Sequence, residues 1–372
     1  MKIKVNSCNK IKDGYEITVE YIDIFSLRLY PDGKGGQLGD RGNIGGIEIL
    51  KVTSDNVVLK EKIELGIYDY EIDMERREDI AIQHSAEHLF SGIAKEKFNL
   101  NNVGFRMTET VTTIDLDSND ISENIVKELM KEINLAVKKG GAIETKICSI
   151  EEAKRIELRK PISSKIKSDE IRIVKISKFD TCACAGFHIN DLKDIRIVKL
   201  VSKEIKGKNT RFSIIAGQRA IDDYEVKSEV VTALNHKFSC RDNEIISSID
   251  KQLEHYENLK KEFNELNQEY TKLLYKTLDN KIEEINGNKI VFLEEKKEVI
   301  NEIKKIFDKE LTLVGLTGEN IMFVSNVLDC GYLIGEIKKI NPNLKGGGKG
   351  KQGNLKGSLE KNEIIEILKK IL

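Results

Sequence analysis

Two short segments, each carrying a pair of metal-binding side chains, most constrain how this chain can fold. His84 and His88 lie four residues apart in QHSAEHLF, and Cys184 and His188 lie four apart in CACAGFHI, nearly a hundred residues later. On a helix, side chains four positions apart point to one side, with Cβ atoms about 5–6 Å apart. Such a pair suits two ligands of one tetrahedral zinc ion, and the distant Cys/His pair could supply the others. The fold is therefore expected to bring both segments together around Zn²⁺.

Composition indicates a globular protein of several domains. The 372 residues exceed one ordinary domain, and 40% hydrophobic with 33% charged residues suit globular folding. A net charge of −1 gives no global signal for nucleic acid or membrane, so any basic surface must be local. No apolar run approaches the roughly 20 residues that span a bilayer, and the charged N-terminus is unlike a signal peptide. Scattered cysteines predict reduced thiols and a metal site, and hence a cytoplasmic protein.

Residues 1–74 are predicted to form a small antiparallel β-barrel. Segments such as KIKVNSC, GYEITVEYI and IEILKVTS are rich in β-branched residues and are separated by turn signals. Between them lies YPDGKGGQLGDRGNIGG, a segment too long for a simple hairpin turn. Its glycines permit positive φ and close backbone approach, and Gln37 or Asp40 could hydrogen-bond a small polar ligand. A plain barrel loop is the alternative.

Residues 75–224 are predicted to form an α+β domain with a mostly antiparallel sheet. A helix over 75–98 carries His84 and His88 on a broad, largely apolar stripe. Strands follow it, and one of them, EIRIVKIS, leads into the CACAGFH turn.

Residues 225–278 are predicted to form one long amphipathic helix. Apolar residues from Ile246 to Leu273 recur at spacings of three and four, a heptad pattern with one stammer after Tyr256. The segment is expected to be a coiled coil or a helical hairpin that acts as a spacer or a dimeriser. Because the stammer weakens a simple parallel dimer, a homodimer and an intramolecular helix both stay open.

Residues 279–372 are predicted to form a separate α/β domain. A loop at 345–357 between its last two helices contains G-K-G-K-Q-G, which formally matches a dinucleotide motif but follows a helix instead of a strand. Lysines are interleaved with the glycines, and no acid occurs across 338–358. Such a cationic loop can follow phosphates, so Lys345, Lys349 and Lys351 are predicted to contact an RNA backbone. A merely solvated loop is the alternative.

The helical histidine pair is compatible with two kinds of zinc site. H-S-A-E-H also matches H-x-x-E-H, the inverted zinc-peptidase motif, in which Glu87 would act as a general base. Glu87 could equally face away or orient a histidine. Four ligands would close a structural site, whereas three would leave a position for water. His84, His88 and Cys184 are favoured as core ligands, with His188 as fourth ligand or water positioner.

Four motifs resemble those of alanyl-tRNA editing proteins. HSAEHLFSG and CAGFH resemble the H-x-x-x-H and C-x-x-x-H zinc signature of alanyl- and threonyl-tRNA synthetase editing domains. YPDGKGGQLGDRG resembles the Gly-rich loop before that domain, and TRFSIIAGQRAIDDY resembles the stretch after it. GGGKGKQGNLKG resembles the core of the DHH-associated domain at the end of alanyl-tRNA synthetases. These motifs follow one another along the chain in the same order as in the family. The chain therefore resembles a free-standing, long-form AlaX-type trans-editing protein.

The resemblance implies a four-part organisation and a pocket. The parts are an N-terminal barrel at 1–74, a zinc-binding editing domain at 75–224, a coiled-coil linker at 225–278 and a tRNA-binding domain at 279–372. The implied pocket is lined by Gly35, Gly36, Gln37, Asp40 and Phe187. Three positions depart from the family pattern. Glu87 stands where threonine is common, Phe187 stands where G-G-T-H has threonine, and Lys34 interrupts the glycines of the loop.

The activity that the resemblance implies is hydrolysis of an aminoacyl ester in trans. The expected substrate is tRNA-Ala mischarged with serine or glycine, the cofactor is Zn²⁺, and the partner is tRNA with no membrane. One alternative is a non-catalytic tRNA-binding zinc protein, which the departures at Glu87 and Phe187 keep open. The other is a zinc peptidase that depends on Glu87 and is indifferent to Cys184.

Overall fold

A computed structural model describes residues 1–23, 27–162, 169–357 and 359–372. The chain divides into two compact units, Met1–Thr232 and Ala233–Leu372. The first unit holds both the predicted barrel and the predicted metal-binding segments. The finer division into four parts stays a prediction. None of the described helices is both long and apolar enough to cross a lipid bilayer.

The first unit begins with a closed six-stranded barrel, as predicted. Its neighbouring strands pair antiparallel in the order β1-β2-β5-β4-β3-β6. Alternating inward side chains, such as Ile3 and Val5, fill its core. The Gly-rich segment links β2 to β3 and lies outside the ladder. The strands are β1 Lys2–Ile11, β2 Gly14–Tyr21, β3 Gly42–Ile44, β4 Ile47–Val52, β5 Asn56–Leu59 and β6 Gly66–Ile72.

A long, deeply buried helix, α1 (Met74–Phe98), follows the barrel. The Asp73 side chain caps its first turn by accepting a hydrogen bond from the Arg76 amide, and Asn99 ends it in the left-handed region at φ 53°. Nearly every residue from Ile80 to Ala94 is buried, polar ones included. A helix that is buried on all sides must satisfy its polar side chains internally, which makes the middle of α1 the place to look for a site.

Two antiparallel sheets and one helix pack against α1, whereas the sequence indicated a single sheet. One sheet has the order β12-β13-β8-β7 and the other β11-β10-β9. Phe90 of α1 packs against Phe212 in their shared core. The elements are β7 Asn102–Met107, β8 Thr112–Leu116, α2 Glu123–Lys139, β9 Ile143–Ser149, α3 Ile150–Ala153, β10 Glu170–Ile176, β11 Asp180–Ala183, β12 Val198–Lys206 and β13 Asn209–Ala216.

The prediction of one continuous helix over 225–278 is wrong. The structure has two helices, α4 (Gln218–Phe238) and α5 (Ile245–Lys276), and Ser239 ends the first in the left-handed region at φ 51°. The predicted heptad residues of α5 are largely exposed, for example Leu253 and Leu266. The helical part of the prediction therefore holds for α5, while the coiled coil and a homodimer through it stay predictions.

The second unit contains a six-stranded mixed sheet in the order β14-β15-β16-β17-β19-β18. Only the pair β15–β16, linked through α6, is parallel among its described pairs. The predicted loop at 345–357 is instead a hairpin of β18 and β19. The elements are β14 Ile282–Ile285, β15 Asn288–Glu294, α6 Lys297–Ile306, β16 Thr312–Thr317, β17 Asn320–Ser325, α7 Cys330–Ile340, β18 Lys345–Lys349, β19 Gln352–Lys356 and α8 Lys361–Ile371.

Candidate metal centre

Four metal-binding side chains from the two predicted segments converge in the first unit. Ligand atoms of His84, His88, Cys184 and His188 all lie within 4.8 Å of one another. The two histidines of α1 are buried, and Cys184 and His188 are partly buried in the turn after β11. Residues a hundred positions apart thus meet at one point, which is the arrangement that the spacing predicted.

Backbone contacts hold the turn after β11 against α1. The Arg172 guanidinium donates hydrogen bonds to the carbonyl oxygens of Cys184 and Gly186 at 2.9 and 2.8 Å. A Cβ at Gly186 would lie 2.2 Å from Cε1 of His84 and 2.5 Å from Oε1 of Gln37. Glycine at this position is therefore required by close approach of the turn to the helix.

Each imidazole is oriented by a separate partner on its Nδ1 atom. That partner is Gln37 Oε1 for His84 at 2.8 Å and Asp180 Oδ2 for His88 at 2.8 Å. For His188 it is Ser85 Oγ at 3.1 Å. The Nε2 atoms of His84 and His188 lie 3.6 and 3.4 Å from the Cys184 sulfur. Metal-binding histidines are usually fixed by such a hydrogen bond on the nitrogen opposite the metal.

The electrostatic environment favours the ligand forms of Cys184 and His188. Burial raises the pKa of the Cys184 thiol, but hydrogen bonds from His188, His84 and His88 outweigh it and lower this pKa to about 2. Burial lowers the pKa of His188 to about 3, which keeps its imidazole neutral. Burial lowers the pKa of His88, but its hydrogen bonds to Asp180 and Cys184 outweigh this and raise it well above the usual value, so a metal would have to displace a proton from this ring. Thiolate and imidazole are donors that zinc prefers. The residues present therefore fit Zn²⁺.

Behind His88 lies a buried ion pair that sequence reasoning missed. Asp180 is buried and accepts hydrogen bonds from His88 and, at 2.7 Å, from Nε of Arg159. Burial raises the pKa of the Asp180 carboxyl, but its bonds to His88 and Arg159 outweigh this and lower it. Arg159 lies in an irregular segment outside every motif, so no sequence signal pointed to it. The pair orients the His88 ring so that Nε2 points toward the other three side chains of the cluster.

Glu87 faces the cluster from the side of His88. Its Oε1 accepts hydrogen bonds from Ser91 Oγ and Asn102 Nδ2, both at 2.6 Å. Its Oε2 lies 3.8 Å from Nε2 of His88. Lys160 donates in turn to Asn102 Oδ1 at 3.1 Å. Glu87 is thus neither solvated nor directed away from the cluster, and Asn102 and Lys160 are further residues that the motifs did not reveal.

The predicted pocket residues of the Gly-rich segment divide into two groups. Gln37 touches the cluster, because its Oε1 accepts from both His84 and the Phe187 amide, at 2.8 and 3.0 Å. Asp40 is already paired with Arg77 and the Tyr30 amide, so its carboxylate holds the segment against α1. A direct ligand contact by Asp40 is not what the structure favours.

Gly35 and Gly36 bring this segment close to aromatic rings. A Cβ at Gly36, where φ is 81°, would lie 2.6 Å from the Phe105 ring, which itself stacks on His84 at 5.2 Å. Gly35 has φ 64° and lies beside the Tyr30 hydroxyl.

Phe187, the residue that replaces threonine in the family pattern, is held between two side chains. Its ring centroid is 4.8 Å from that of Tyr30 and 4.5 Å from the Arg77 guanidinium carbon. The Phe187 ring therefore contributes an aromatic wall next to His188 and leaves its backbone amide to bind Gln37.

The predicted RNA-binding lysines lie in the second unit. Lys345 and Lys349 begin and end the edge strand β18, Lys351 lies in the turn after it, and all three are exposed. The hairpin gives these cations a fixed spacing along one sheet edge.

Comparison with known families finds a match within the first unit. Residues 171–212 match the family described as threonyl and alanyl tRNA synthetase second additional domain. The matched segment spans β10 to β13 and contains Cys184 and His188. Cys184 and His188, the two residues that the turn contributes to the candidate metal centre, therefore lie in a segment similar to this domain family.

Relatives extend the similarity beyond this domain. The alanyl-tRNA editing protein Aarsd1 of Danio rerio is 25% identical over 367 residues, which cover 92% of this chain and 86% of that protein. Its counterpart in Bos taurus is 25% identical over 253 residues, 66% of this chain and 55% of the relative. Alanine–tRNA ligase of Fusobacterium nucleatum is 23% identical over 407 residues, 96% of this chain and 46% of the ligase. The predicted resemblance to AlaX-type alanyl-tRNA editing proteins is confirmed.

The matches to mammalian relatives are partial. The chain spans 55% to 60% of the length of the Bos taurus, Rattus norvegicus and Mus musculus proteins.

Proposed function

We propose that the protein is a zinc-dependent aminoacyl-tRNA deacylase that acts in trans on tRNA-Ala mischarged with serine or glycine. The observation that carries this proposal is the cluster of three imidazoles and one thiolate, each imidazole fixed by its own partner. The names of the relatives, alanyl-tRNA editing protein and alanine–tRNA ligase, supply the substrate class. The bond cleaved is the ester between the amino acid and the terminal ribose.

His84, His88 and Cys184 would hold the metal, and His188 would serve as a fourth ligand or would position a water molecule on it. Bound zinc supplies Lewis acidity toward an ester carbonyl and toward a water molecule. Asp180, which is itself held by Arg159, fixes the orientation of the His88 ring, and Ser85 does the same for the His188 ring.

Selectivity for a small hydroxylated amino acid calls for a polar group that can reach its side chain. Gln37 is 1% exposed, and its Nε2 has no hydrogen-bond partner among the described residues. A buried, unpaired amide is unfavourable unless a ligand engages it. A site that hydrogen-bonds a substrate hydroxyl discriminates strongly against an analogue that lacks it. Gln37 is thus the residue we assign to serine recognition.

Binding of tRNA is proposed for the second unit, through the hairpin defined by β18 and β19. Its exposed lysines, Lys345, Lys349 and Lys351, can neutralise backbone phosphates without reading sequence. All six cysteines are free thiols in the structure, which fits action in a reducing compartment such as the cytoplasm.

The deciding experiment measures release of labelled serine, glycine and alanine from separately charged tRNA-Ala by zinc-loaded protein. We expect serine or glycine to be released and alanine to be retained. The Cys184→Ala variant should lose both the zinc and the activity, whereas Cys240→Ala, which removes a thiol outside the cluster, should keep both. Undiminished release by zinc-free Cys184→Ala protein would refute the proposal.

A further inference from the structure

We propose that Glu87 binds the α-ammonium group of the amino acid whose ester is cleaved. This inference rests on the proposed deacylase function and assigns a substrate contact within the same site. Threonine is common at this position in the family pattern, so the assignment concerns a feature of this chain.

The carboxylate of Glu87 is fixed by hydrogen bonds at one oxygen, whereas the other oxygen accepts no hydrogen bond among the described residues. Ser91 and Asn102 both donate to Oε1 at 2.6 Å, which locks the side chain in one orientation. Oε2 accepts no hydrogen bond among the described residues, and it forms a longer contact of 3.8 Å with Nε2 of His88, an ion pair when that ring is protonated. That nitrogen is the one that His88 turns toward the other ligands, because Nδ1 is bonded to Asp180. Oε2 therefore borders the position where a metal and a reacting ester would lie.

Every other buried carboxylate or amide oxygen in the described part of the first unit already has a partner. These groups, with their donors, are Gln37 with His84, Asp40 with Arg77, Gln83 with the Ala216 amide, Asn102 with Lys160, and Asp180 with His88 and Arg159. Glu87 Oε2 is thus the buried anionic acceptor that a ligand at the cluster can still engage.

The substrate carries the matching group. An aminoacyl ester has a free α-amine, and amines of this type are largely protonated near pH 7. Taking an ammonium out of water without an acceptor costs several kcal/mol, so the site needs a partner for it. The ammonium is separated from the ester carbonyl by one carbon, so a group that binds it must lie close to the reacting carbonyl.

The competing role for the same oxygen is that of a general base, and substrate chemistry separates the two. A glycolyl ester has a hydroxyl in place of the ammonium of a glycyl ester and the same bond to be cleaved. An ammonium acceptor helps only the glycyl ester, whereas a base assists hydrolysis of both.

The test compares kcat/KM for glycyl-tRNA-Ala and glycolyl-tRNA-Ala with wild-type and Glu87→Gln protein. Glutamine can keep the hydrogen bonds from Ser91 and Asn102 while it places an amide near the ammonium position. We expect the wild type to favour the glycyl ester by about 10- to 100-fold, the range of a charge-assisted hydrogen bond. Glu87→Gln should lose that preference by slowing only the glycyl ester. Glu96→Gln, an exposed change on the same helix, should behave as wild type.

Three results would overturn the inference. They are equal use of both esters by the wild type, an equal loss on both esters in Glu87→Gln, and loss of zinc from Glu87→Gln. The first result is measured on the wild type alone, so the inference can be refuted even if Glu87→Gln does not fold.

A binding measurement separates this inference from the proposed function. Calorimetry with adenosine carrying glycine or glycolate through a stable amide link reports affinity without hydrolysis. Tighter binding of the glycine compound to the wild type, with the difference lost in Glu87→Gln, supports the inference even if no ester is hydrolysed. Equal affinities would refute it, whatever the deacylation assay gives.

Discussion

At the scale of single residues, the candidate metal centre depends on groups that do not themselves touch a metal. The Asp180 carboxylate accepts hydrogen bonds from both His88 and Arg159, so its negative charge is balanced and its position is fixed. Gln37 and Ser85 do the equivalent for the other two imidazoles. Because all three histidines are oriented before a metal binds, little reorganisation is left for binding to drive.

We predict that Asp180→Asn weakens zinc binding by about 10- to 100-fold, because a neutral amide can neither balance Arg159 nor hold the His88 proton as firmly. Competition with a chromophoric chelator measures this. Asp115→Asn breaks an Arg–Asp pair on β8 outside the cluster and should leave zinc affinity unchanged. Equal affinity in the wild type and Asp180→Asn would show that His88 is oriented by other contacts.

A second residue-scale prediction concerns Asp32, which organises the Gly-rich segment. Burial raises the pKa of its carboxyl, but Arg41 and the amides of Val52 and Gly39 outweigh this and lower it. A lowered folded-state pKa stabilises the fold above the unfolded value of about 3.9, and this stabilisation is lost as pH falls through the folded value. Asp32→Asn should therefore cost about 1–3 kcal/mol at pH 7 and little in strong acid. Urea unfolding of the wild type and the variant, at pH 7 and in strong acid, measures this difference in stability. An equal loss of stability under both conditions would contradict the linkage to the Asp32 pKa.

At the scale of secondary-structure elements, the turn after β11 is the part of the site that tolerates added side-chain volume least. Gly186 lies so close to His84 and Gln37 that any side chain would push the turn away from α1. We predict that Gly186→Ala destabilises the first unit by about 1–3 kcal/mol and lowers bound zinc. Gly335→Ala in α7, where a Cβ meets open space, should be neutral or stabilising. Zinc content and thermal unfolding measure both, and full zinc in Gly186→Ala would refute the argument.

Much of the element structure follows from sequence periodicity, but the breaks do not. The barrel strands, α1 and the strand before the CACAGFH turn could be predicted, because each has strong alternation or a helical apolar stripe. The helix break after Phe238 could not be predicted, because no glycine or proline lies there. Ser239 adopts a left-handed conformation, which serine rarely does. The hairpin at Lys345–Lys356 was not predicted from the sequence, because glycine and lysine are poor strand formers. The two strands nevertheless pair through their backbones.

At the scale of the whole molecule, sequence spacing could predict the four converging side chains but not the residues behind them. Arg159, Asp180 and Asn102 come from three separate elements or loops, and only the tertiary fold brings them to α1. Motif spacing carries no information on such contacts, because each residue is common and lies far from the others in the chain.

For the second unit we predict a salt-dependent contact with tRNA. Replacing Lys345, Lys349 and Lys351 with alanine should weaken tRNA binding and reduce the slope of log K against log salt by about 2 to 3, because each phosphate contact contributes just under one. Release of serine from saturating charged tRNA should be little changed. A matched change of Lys2, Lys10 and Lys12, exposed lysines of the barrel, is the control. An unchanged slope would place the RNA contact elsewhere.

The 100 residues that separate His84 from Cys184 have a thermodynamic consequence. A metal held by both would act as a cross-link that closes a long loop, and a covalent link over such a loop restrains the unfolded chain by about 4–5 kcal/mol. Zinc would then stabilise the fold of the first unit in addition to taking part in catalysis. Its removal by a chelator should speed amide hydrogen exchange in α1 and around β11, while the sheet of the second unit keeps its protection.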